Sequence, residues 1–300
     1  MSSCTERSRD AERSIDGSRV VITGATNGIG LEIARGLARR GAALTLLARN
    51  LEKAAATAAE LVSIGAVDAD IVEADLSSAA SVRAAAAVLH DRLRQIDVLV
   101  NNAGINQLRS GDPTVDGWDR QIATNHLGPF LLTTSVLDLL ERAPAARVVG
   151  TASEAHRAGG RLDPVTFERP TGFGIAGAQL KYGQSKLLNI LFTRELARRT
   201  AGSGVTANCF CPGAVASGLM RGSVVVDRVA RAAGRGRILR RPEEGARMGL
   251  RLVLDPHLAD VSGEFFTSTP GLRLLPPVRS LSDFELQRDI WRRSAELVAL

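Results

Sequence analysis

Aromatic residues and lysine are scarce in this 300-residue chain. Phe, Trp and Tyr make up 4% of it, the only tyrosine is Tyr182, and only three of the 38 basic residues are lysines. So few aromatic side chains leave little to stack on bases, and the arginines are mostly interleaved with acids, so we predict no nucleic-acid partner. The net charge of +6 then serves solubility and affinity for an anionic cofactor.

Cysteine and long apolar runs are also lacking. Cys4, Cys209 and Cys211 are too few for a disulfide framework, which favours a reducing compartment. No His or Cys cluster completes a metal site, so we predict no bound metal and core packing for Cys209 and Cys211. There is no apolar run of about 18 residues, and residues 1–17 are polar and charged. We therefore expect a cytoplasmic protein without a membrane anchor, with a flexible tail over residues 1–17.

Short runs rich in Val, Ile and Leu alternate with Ala/Leu/Arg segments that have helical spacing. Continuous apolar runs of this length indicate strands buried on both faces, and their alternation with helices predicts βαβ units. The fold class is therefore α/β, a doubly wound parallel sheet with helices on both faces. The predicted strands are Arg19–Thr23, Ala42–Ala48, Asp68–Glu73, Ile96–Val100, Ala146–Thr151, Val205–Cys211 and Gly263–Thr267.

The rest of the chain predicts one domain over residues 18–300. Two loops that contain glycine and arginine, near residues 154–181 and 218–241, are expected to flank a ligand pocket. An amphipathic helix over residues 281–298 carries four large apolar side chains that we expect to dock on the body: Phe284, Ile290, Trp291 and Leu297.

A glycine-rich turn follows the first strand and opens a helix. The N-terminus of a helix offers free N–H groups and a positive dipole end to a pyrophosphate, and glycine lets the phosphate approach closely. Glycines at such offsets also arise by chance, so the position of the turn after a strand carries the argument. We predict dinucleotide contacts from Gly24, Thr26, Asn27, Gly28, Ile29 and Gly30.

The end of the second strand bears on which dinucleotide is bound. Sites specific for NAD(H) usually place Asp or Glu there to hold the ribose hydroxyls, whereas this chain has Arg49. Arginine pairs with a 2′-phosphate that a carboxylate would repel, so NADP(H) is favoured over NAD(H), the alternative being an ordinary surface arginine. Residues after the third and fourth strands are predicted to line the adenine side: Asp75, Leu76, Asn102, Ala103 and Gly104.

Tyr182 stands four residues before Lys186. On a helix this offset puts the phenol and the ammonium on one face, where the cation favours phenolate and lowers the pKa of the tyrosine towards neutrality. Such a tyrosine is a general acid near neutral pH. Most isolated pairs with this spacing are surface residues, so the meaning of this pair depends on the other motifs.

Two further groups extend the pattern. Pro129 lacks the N–H that would bind the carbonyl of Asn125 four residues earlier, so that carbonyl is free for a water molecule or an ammonium. Ser153 follows the fifth strand and puts a hydroxyl at the C-terminal edge of the sheet, where open α/β sheets bind ligands. A lone serine there is more often a turn residue.

In their types and order, these motifs resemble those of the short-chain dehydrogenase/reductase family. The resemblance covers residues 18–300 and rests on the glycine turn, Asn101 to Gly104, Asn125 to Gly128, Ser153, Tyr182 with Lys186, and Pro212-Gly213. Within the family, the chain is similar to the retinol dehydrogenase-like branch in the run from Ser185 to Leu196 and in Trp291-x-x-Ser294.

The resemblance implies a single dinucleotide-binding catalytic domain of Rossmann type, with strand order 3-2-1-4-5-6-7, that commonly pairs into a homodimer or homotetramer. It implies that Ser153 binds the substrate oxygen, Tyr182 transfers the proton, Lys186 binds the nicotinamide ribose and lowers the tyrosine pKa, and Asn125 holds a water. It also implies cofactor contacts from Pro212, Gly213, Val215 and Ser217.

We therefore expect an NADP(H)-dependent oxidoreductase that interconverts a carbonyl and an alcohol, acting in the reductive direction. The mixed character of the two loops predicts a bulky, partly apolar small molecule as its substrate. The alternative is a catalytically silent NADP-binding sensor or scaffold that has kept the fold.

Overall fold

The computed structural model describes residues 12–107, 112–170, 174–213, 215, 240–267 and 278–299. Three predicted features lie wholly or mainly outside these residues: Ser217, the loop near residues 218–241 and the N-terminal tail.

Seven strands form one parallel sheet: β1 (Arg19–Thr23), β2 (Ala43–Ala48), β3 (Asp68–Glu73), β4 (Val98–Asn101), β5 (Ala146–Thr151), β6 (Val205–Cys211) and β7 (Phe265–Thr267). Their order is β3-β2-β1-β4-β5-β6-β7, which confirms the predicted fold class and strand order. Since the order reverses between β1 and β4, the switch point of the sheet lies at the C-terminal ends of these two strands, where such folds bind ligands.

Helices cover both faces of the sheet. They are α1 (Gly28–Ala38), α2 (Leu51–Ser63), α3 (Ala79–Arg92), α4 (Arg120–Ile122), α5 (Gly128–Ser135), α6 (Leu137–Glu141), α7 (Gly174–Arg199), α8 (Pro242–Leu254) and α9 (Phe284–Leu297). A π-helical turn, Ala123–Leu127, joins α4 to α5. None of these helices is both long and apolar enough to cross a membrane, within the part of the chain that the structure describes.

Two apolar cores hold the sheet between its helices. Residues of α1, α2 and α8 form one core around Ile33 and Leu252, and residues of α3, α5 and α7 form the other around Phe130 and Leu188. Neighbouring residues of one strand reach different cores, since Val21 belongs to the second and Ile22 to the first. This two-sided burial explains why the central strands β1, β2 and β4 are largely apolar in the sequence.

The body begins earlier in the chain than the sequence indicates. Ile15 is 1% exposed, and the N–H of Gly17 donates to the carbonyl of Gly41 at 2.9 Å. The N–H of Arg13 donates to the carbonyl of Leu254 at the end of α8. Residues 12–17, which we assigned to the tail, therefore pack on the domain.

The C-terminal helix α9 packs on the body of the domain, and two of the four apolar residues predicted for this role, Ile290 and Trp291, make close contacts there. Ile290 is 1% exposed, and the ring of Trp291 stacks on that of Phe192 with centroids 5.7 Å apart. Phe284 differs from the prediction because it opens the helix at the surface, where it is 59% exposed. The guanidinium of Arg198 covers its ring, 5.0 Å from the centroid.

Candidate active site

One side chain, that of Asn102, joins the C-terminal ends of three strands. Its Nδ2 donates to the carbonyl oxygens of Thr23 and Gly24, both at 3.2 Å, and its Oδ1 accepts from the Thr151 hydroxyl at 3.3 Å. The Thr23 hydroxyl accepts from the backbone N–H groups of Asn102 and Ala103 at 3.0 Å. These bonds fix the loops after β1, β4 and β5 relative to one another.

The turn after β1 leaves the start of α1 open to an anion. Asn27 precedes the helix without making a side-chain cap, and no acidic residue lies in the first turn. The first N–H groups of α1 are therefore available to a ligand. A Cβ on Gly30 would lie 2.3 Å from the carbonyl oxygen of Gly24, and Gly24 has a φ of 69°, so both positions require glycine.

A cleft of about 930 Å³ runs along this edge of the sheet. Asn125 does not line it, and Ser217 lies outside the described residues. All the other residues that we assigned to the cofactor or to the chemistry line this one cleft: Gly24, Thr26, Asn27, Gly28, Ile29, Gly30, Arg49, Asp75, Leu76, Asn102, Ala103, Gly104, Ser153, Tyr182, Lys186, Pro212, Gly213 and Val215.

Two cations stand together at the β2 end of the cleft. Arg49 and Lys53 both line it and both are exposed. Neither side chain forms an ion pair with any residue in the described ranges. Lys53 lies in the first turn of α2, where its N–H donates to the side chain of Asn50 at 2.8 Å. Lys53 was not predicted to be a site residue, although its rarity and its place four residues after Arg49 were visible in the sequence.

Ser153, Tyr182 and Lys186 meet at the other end of the cleft. The side chain of Ser153 lies close enough to the phenol of Tyr182 to lower its pKa. Nζ of Lys186 lies 5.7 Å from the centroid of the Tyr182 ring and donates to the carbonyl oxygen of Thr151 at 3.1 Å. The loop after β5 thus supplies the serine, and α7 supplies the tyrosine and the lysine from successive turns.

The pKa of Tyr182 differs from the value that its spacing predicts. Burial raises the pKa of Tyr182 to about 12, although the side chain of Ser153 acts in the opposite direction. Burial also lowers the pKa of Lys186 to about 8. The prediction of a tyrosine pKa near neutrality is wrong for this structure, because a four-residue offset fixes proximity but not the extent of desolvation. At neutral pH the phenol is protonated.

Asn125 lies beneath the cleft, in the π-helical turn that directly precedes Gly128 and Pro129. The N–H of Gly128 donates to the carbonyl of Ala123, five residues earlier, so the irregularity expected from Pro129 is a π-turn. Turns of this kind are often found at functional sites. The predicted link from the Asn125 carbonyl to a water remains a prediction.

The side chain of Asn125 has a clear structural role. It is fully buried, its Nδ2 donates to the Ile105 carbonyl at 2.9 Å and to the Ser185 hydroxyl at 3.0 Å, and its Oδ1 accepts from the Ile105 N–H at 2.8 Å. Gly104 lies between Asn125 and Lys186, where a Cβ would approach Nζ of the lysine to 3.4 Å. Asn125 therefore holds the loop after β4 close to the lysine of α7.

Two residues beside Ser153 also line the cleft and were missed as site residues. Both predicted core cysteines are buried, but Cys211 reaches the cleft as well, and its Sγ accepts from the N–H groups of Glu154 and Gly213 at 3.3 and 3.4 Å. Glu154 opens a 3₁₀ turn, Glu154–Ala158. No local motif marks either residue, since the loops after β5 and β6 meet only in the folded sheet.

The rest of the loop near residues 154–181 packs mainly on the body. Phe167 is 2% exposed and meets the ring of His126 edge-on, with centroids 5.8 Å apart. Lys181 donates to the Phe167 carbonyl at 2.8 Å, and Arg293 of α9 pairs with Glu168 at 2.6 Å. Of the loop residues before Tyr182 that the structure describes, only Glu154 lines the cleft.

The described residues contain no cluster of His, Cys, Asp and Glu that could hold a metal ion. The polar groups of the cleft include backbone N–H groups, hydroxyls, side-chain amides, two exposed cations, one buried lysine and the carboxylates of Asp75 and Glu154. Such a set binds phosphates and moves protons.

We predict that the phenol of Tyr182 titrates with a midpoint near pH 12 in the folded protein. Since the chain has a single tyrosine, phenolate absorbance in the near ultraviolet reports on this group alone. The same chain unfolded in urea is the control and should titrate near pH 10. Coincident curves for the folded and unfolded protein would contradict the burial described above.

Comparison with known proteins identifies relatives over nearly the whole chain. The family model described as short chain dehydrogenase matches residues 18–165. The chain is 36% identical over 298 residues to human retinol dehydrogenase 13, an alignment that covers 97% of this chain and 87% of the relative. It is also 36% identical over 285 residues to retinol dehydrogenase 12 of Bos taurus, with 95% and 87% covered.

Solved structures are similar over the same length. A putative uncharacterized protein from Mycobacterium paratuberculosis has a TM-score of 0.73 and 33% identity, with 97% of this chain and 96% of that chain covered. The Pseudomonas aeruginosa RhlG/NADP active-site complex has a TM-score of 0.70 and 30% identity, with 87% and 98% covered. The chain therefore belongs to the short-chain dehydrogenase/reductase family, in its retinol dehydrogenase-like branch, and with it to the oxidoreductases of alcohols and carbonyl compounds that use a nicotinamide cofactor.

Proposed function

We propose that this protein is an NADP(H)-dependent carbonyl reductase that converts a bulky, partly apolar ketone or aldehyde to the alcohol. One observation carries the proposal. Ser153 and Tyr182, with Lys186 beside them, lie at one end of a single cleft whose middle is the uncapped start of α1.

The cleft fits a dinucleotide. Gly24 and Gly30 keep the turn after β1 free of side chains, and the open N–H groups of α1 would hold the pyrophosphate. Asp75 and Leu76 would line the adenine, and Pro212, Gly213 and Val215 would cover the nicotinamide. The Asp75 carboxylate is held in place by the N–H and hydroxyl of Ser77, at 2.9 and 2.7 Å. The bound cofactor supplies the hydride that reduction requires.

Tyr182 and Ser153 are the groups that act on the substrate oxygen. The hydroxyl of Ser153 would hold the carbonyl oxygen beside the phenol, since both side chains line the same end of the cleft. As the carbonyl carbon is reduced, the phenolic proton of Tyr182 passes to the oxygen and completes the alcohol. The tyrosinate that remains is then reprotonated from solvent.

The raised pKa of Tyr182 supports the reductive direction. A phenol with a pKa of about 12 is protonated at neutral pH, which is the form that donates a proton. Lys186, with a pKa of about 8, keeps its charge at neutral pH and would stabilise the tyrosinate as it forms. Alcohol oxidation needs the deprotonated tyrosine, so the rate of oxidation should increase as the pH rises.

Arg49 and Lys53 support NADP(H) over NAD(H). Both are exposed at the β2 end of the cleft, where the adenosine ribose would lie, and the described residues offer neither an acidic partner. Two cations beside the start of α2 favour a 2′-phosphate. The RhlG complex, with 30% identity, contains NADP, in agreement with this assignment.

We expect the Tyr182→Phe variant to lose at least about a hundredfold in kcat with NADPH and aryl ketones, because the ring stays while the transferable proton is removed. Its dissociation constant for NADPH, measured by fluorescence titration, should stay within a few-fold of the wild-type value. Undiminished turnover in the variant would overturn the assignment. If NADPH binds but the wild type reduces no ketone or aldehyde across a broad panel, the result would support the alternative that the protein is an NADP-binding sensor or scaffold.

We predict that the double variant Arg49→Gln, Lys53→Gln binds NADPH about tenfold or more weakly, while its affinity for NADH changes little. Fluorescence titration of both reduced cofactors measures this. The control is Arg142→Gln, which removes an exposed arginine directly after α6 that pairs with Asp138. Tighter binding of NADH than of NADPH by the wild type would show that NADP(H) is the wrong assignment.

A further inference from the structure

The carboxylate of Glu154 stands beside the reacting groups, and the roles assigned above do not use it. Glu154 directly follows Ser153, and it lines the same cleft as Ser153 and Tyr182. Its side chain is only 12% exposed. The backbone N–H of Glu154, bonded to Sγ of Cys211 at 3.3 Å, fixes where this side chain begins.

Only one of the two carboxylate oxygens of Glu154 has a hydrogen-bond partner among the described residues. Oε2 accepts from Nε of Arg157 at 2.8 Å, one turn along the 3₁₀ helix. Oε1 is buried and has no hydrogen-bond partner among the described residues. A carboxylate can accept about four hydrogen bonds, so Glu154 retains unused acceptor capacity in the wall of the cleft.

A buried acceptor without a donor is costly, and most such groups in folded proteins find a partner. The last torsion of a glutamate side chain is broad, so the carboxylate can turn towards the cleft at little cost. Its contact with Arg157 anchors the other oxygen of the carboxylate. A donor on a bound substrate would supply the bond that the protein leaves unmade.

We propose that Glu154 is a specificity residue that selects substrates with a hydrogen-bond donor, a hydroxyl or ammonium group, on the carbon next to the reacting carbonyl or carbinol carbon. Both Ser153 and Glu154 line the cleft, so we place the donor on the substrate carbon next to the one that bears the reacting oxygen. A substrate carboxylate in the same place would be repelled. This inference rests on the proposed function, and it narrows the substrate class from bulky ketones to bulky α-hydroxy or α-amino ketones and the corresponding alcohols.

Three aryl ketones of similar size test this preference. α-Hydroxyacetophenone carries a hydrogen-bond donor next to the carbonyl, propiophenone has a methyl group in its place, and phenylglyoxylate carries a carboxylate. With NADPH, the wild type should prefer α-hydroxyacetophenone over propiophenone by about tenfold or more in kcat/KM, as expected for a hydrogen bond to a charged group. Phenylglyoxylate should be the poorest substrate of the three.

Glu154→Leu should bring the ratio between α-hydroxyacetophenone and propiophenone close to one while keeping activity on propiophenone. Glu154→Gln keeps an uncharged acceptor and should give an intermediate ratio. Glu141→Gln, which removes an exposed carboxylate at the end of α6, is the control and should leave the ratio unchanged. A ratio that is near one in the wild type, or unchanged in Glu154→Leu, overturns the inference.

Affinity provides a second measurement that does not depend on turnover. Calorimetric titration of the protein loaded with NADP⁺ should show tighter binding of α-hydroxyacetophenone than of propiophenone, and Glu154→Leu should remove the difference. Equal affinities, or no binding of α-hydroxyacetophenone, overturn the role of Glu154. Loss of reduction of every ketone with NADPH bound would count against the proposed function instead, and the affinity ratio would still decide the role of Glu154.

Discussion

The amide of Asn102 holds the glycine turn after β1 and the end of β5 within hydrogen-bond reach of the loop after β4. Thr151, the residue of β5 that this amide contacts, also receives the ammonium of Lys186 through its carbonyl oxygen. The glycine turn after β1 and Lys186 of α7 are therefore fixed to one another through a few short polar contacts. A parallel sheet whose order reverses at β1 and β4 provides these contacts, because the two strand ends lie side by side there.

Burial then sets the chemistry of the groups that this arrangement brings together. It raises the pKa of Tyr182 to about 12 and lowers that of Lys186 to about 8, so two values that are close together for free side chains move apart. The result at neutral pH is a neutral phenol beside a charged lysine, which suits a proton donor whose conjugate base has a cation close by. The same region contains the carboxylate of Glu154, one oxygen of which has no hydrogen-bond donor among the residues that the structure describes. This oxygen is the basis for the proposed preference for carbonyl substrates that carry a donor close to the carbonyl group.

Much of this arrangement was predictable because it depends on local patterns. The strands could be located because burial on both faces leaves continuous apolar runs, and the glycine turn could be located because it directly follows β1. The pKa of Tyr182 could not be predicted, because spacing along a helix does not report desolvation. The place of Phe167 in the core and of Glu154, Cys211 and Lys53 along the cleft depends on which segments meet across the sheet, and no pattern within one segment carries that information.

The central claim is that the cleft brings a nicotinamide and the Ser153–Tyr182 pair to one carbonyl group. It is tested most directly by supplying NADPH deuterated at the transferable C4 position together with α-hydroxyacetophenone and analysing the product by mass spectrometry. The account predicts a diol with one deuterium on the carbinol carbon, transferred without exchange with solvent. A diol without deuterium from cofactor labelled on either face, or no diol when NADPH is bound, would contradict it.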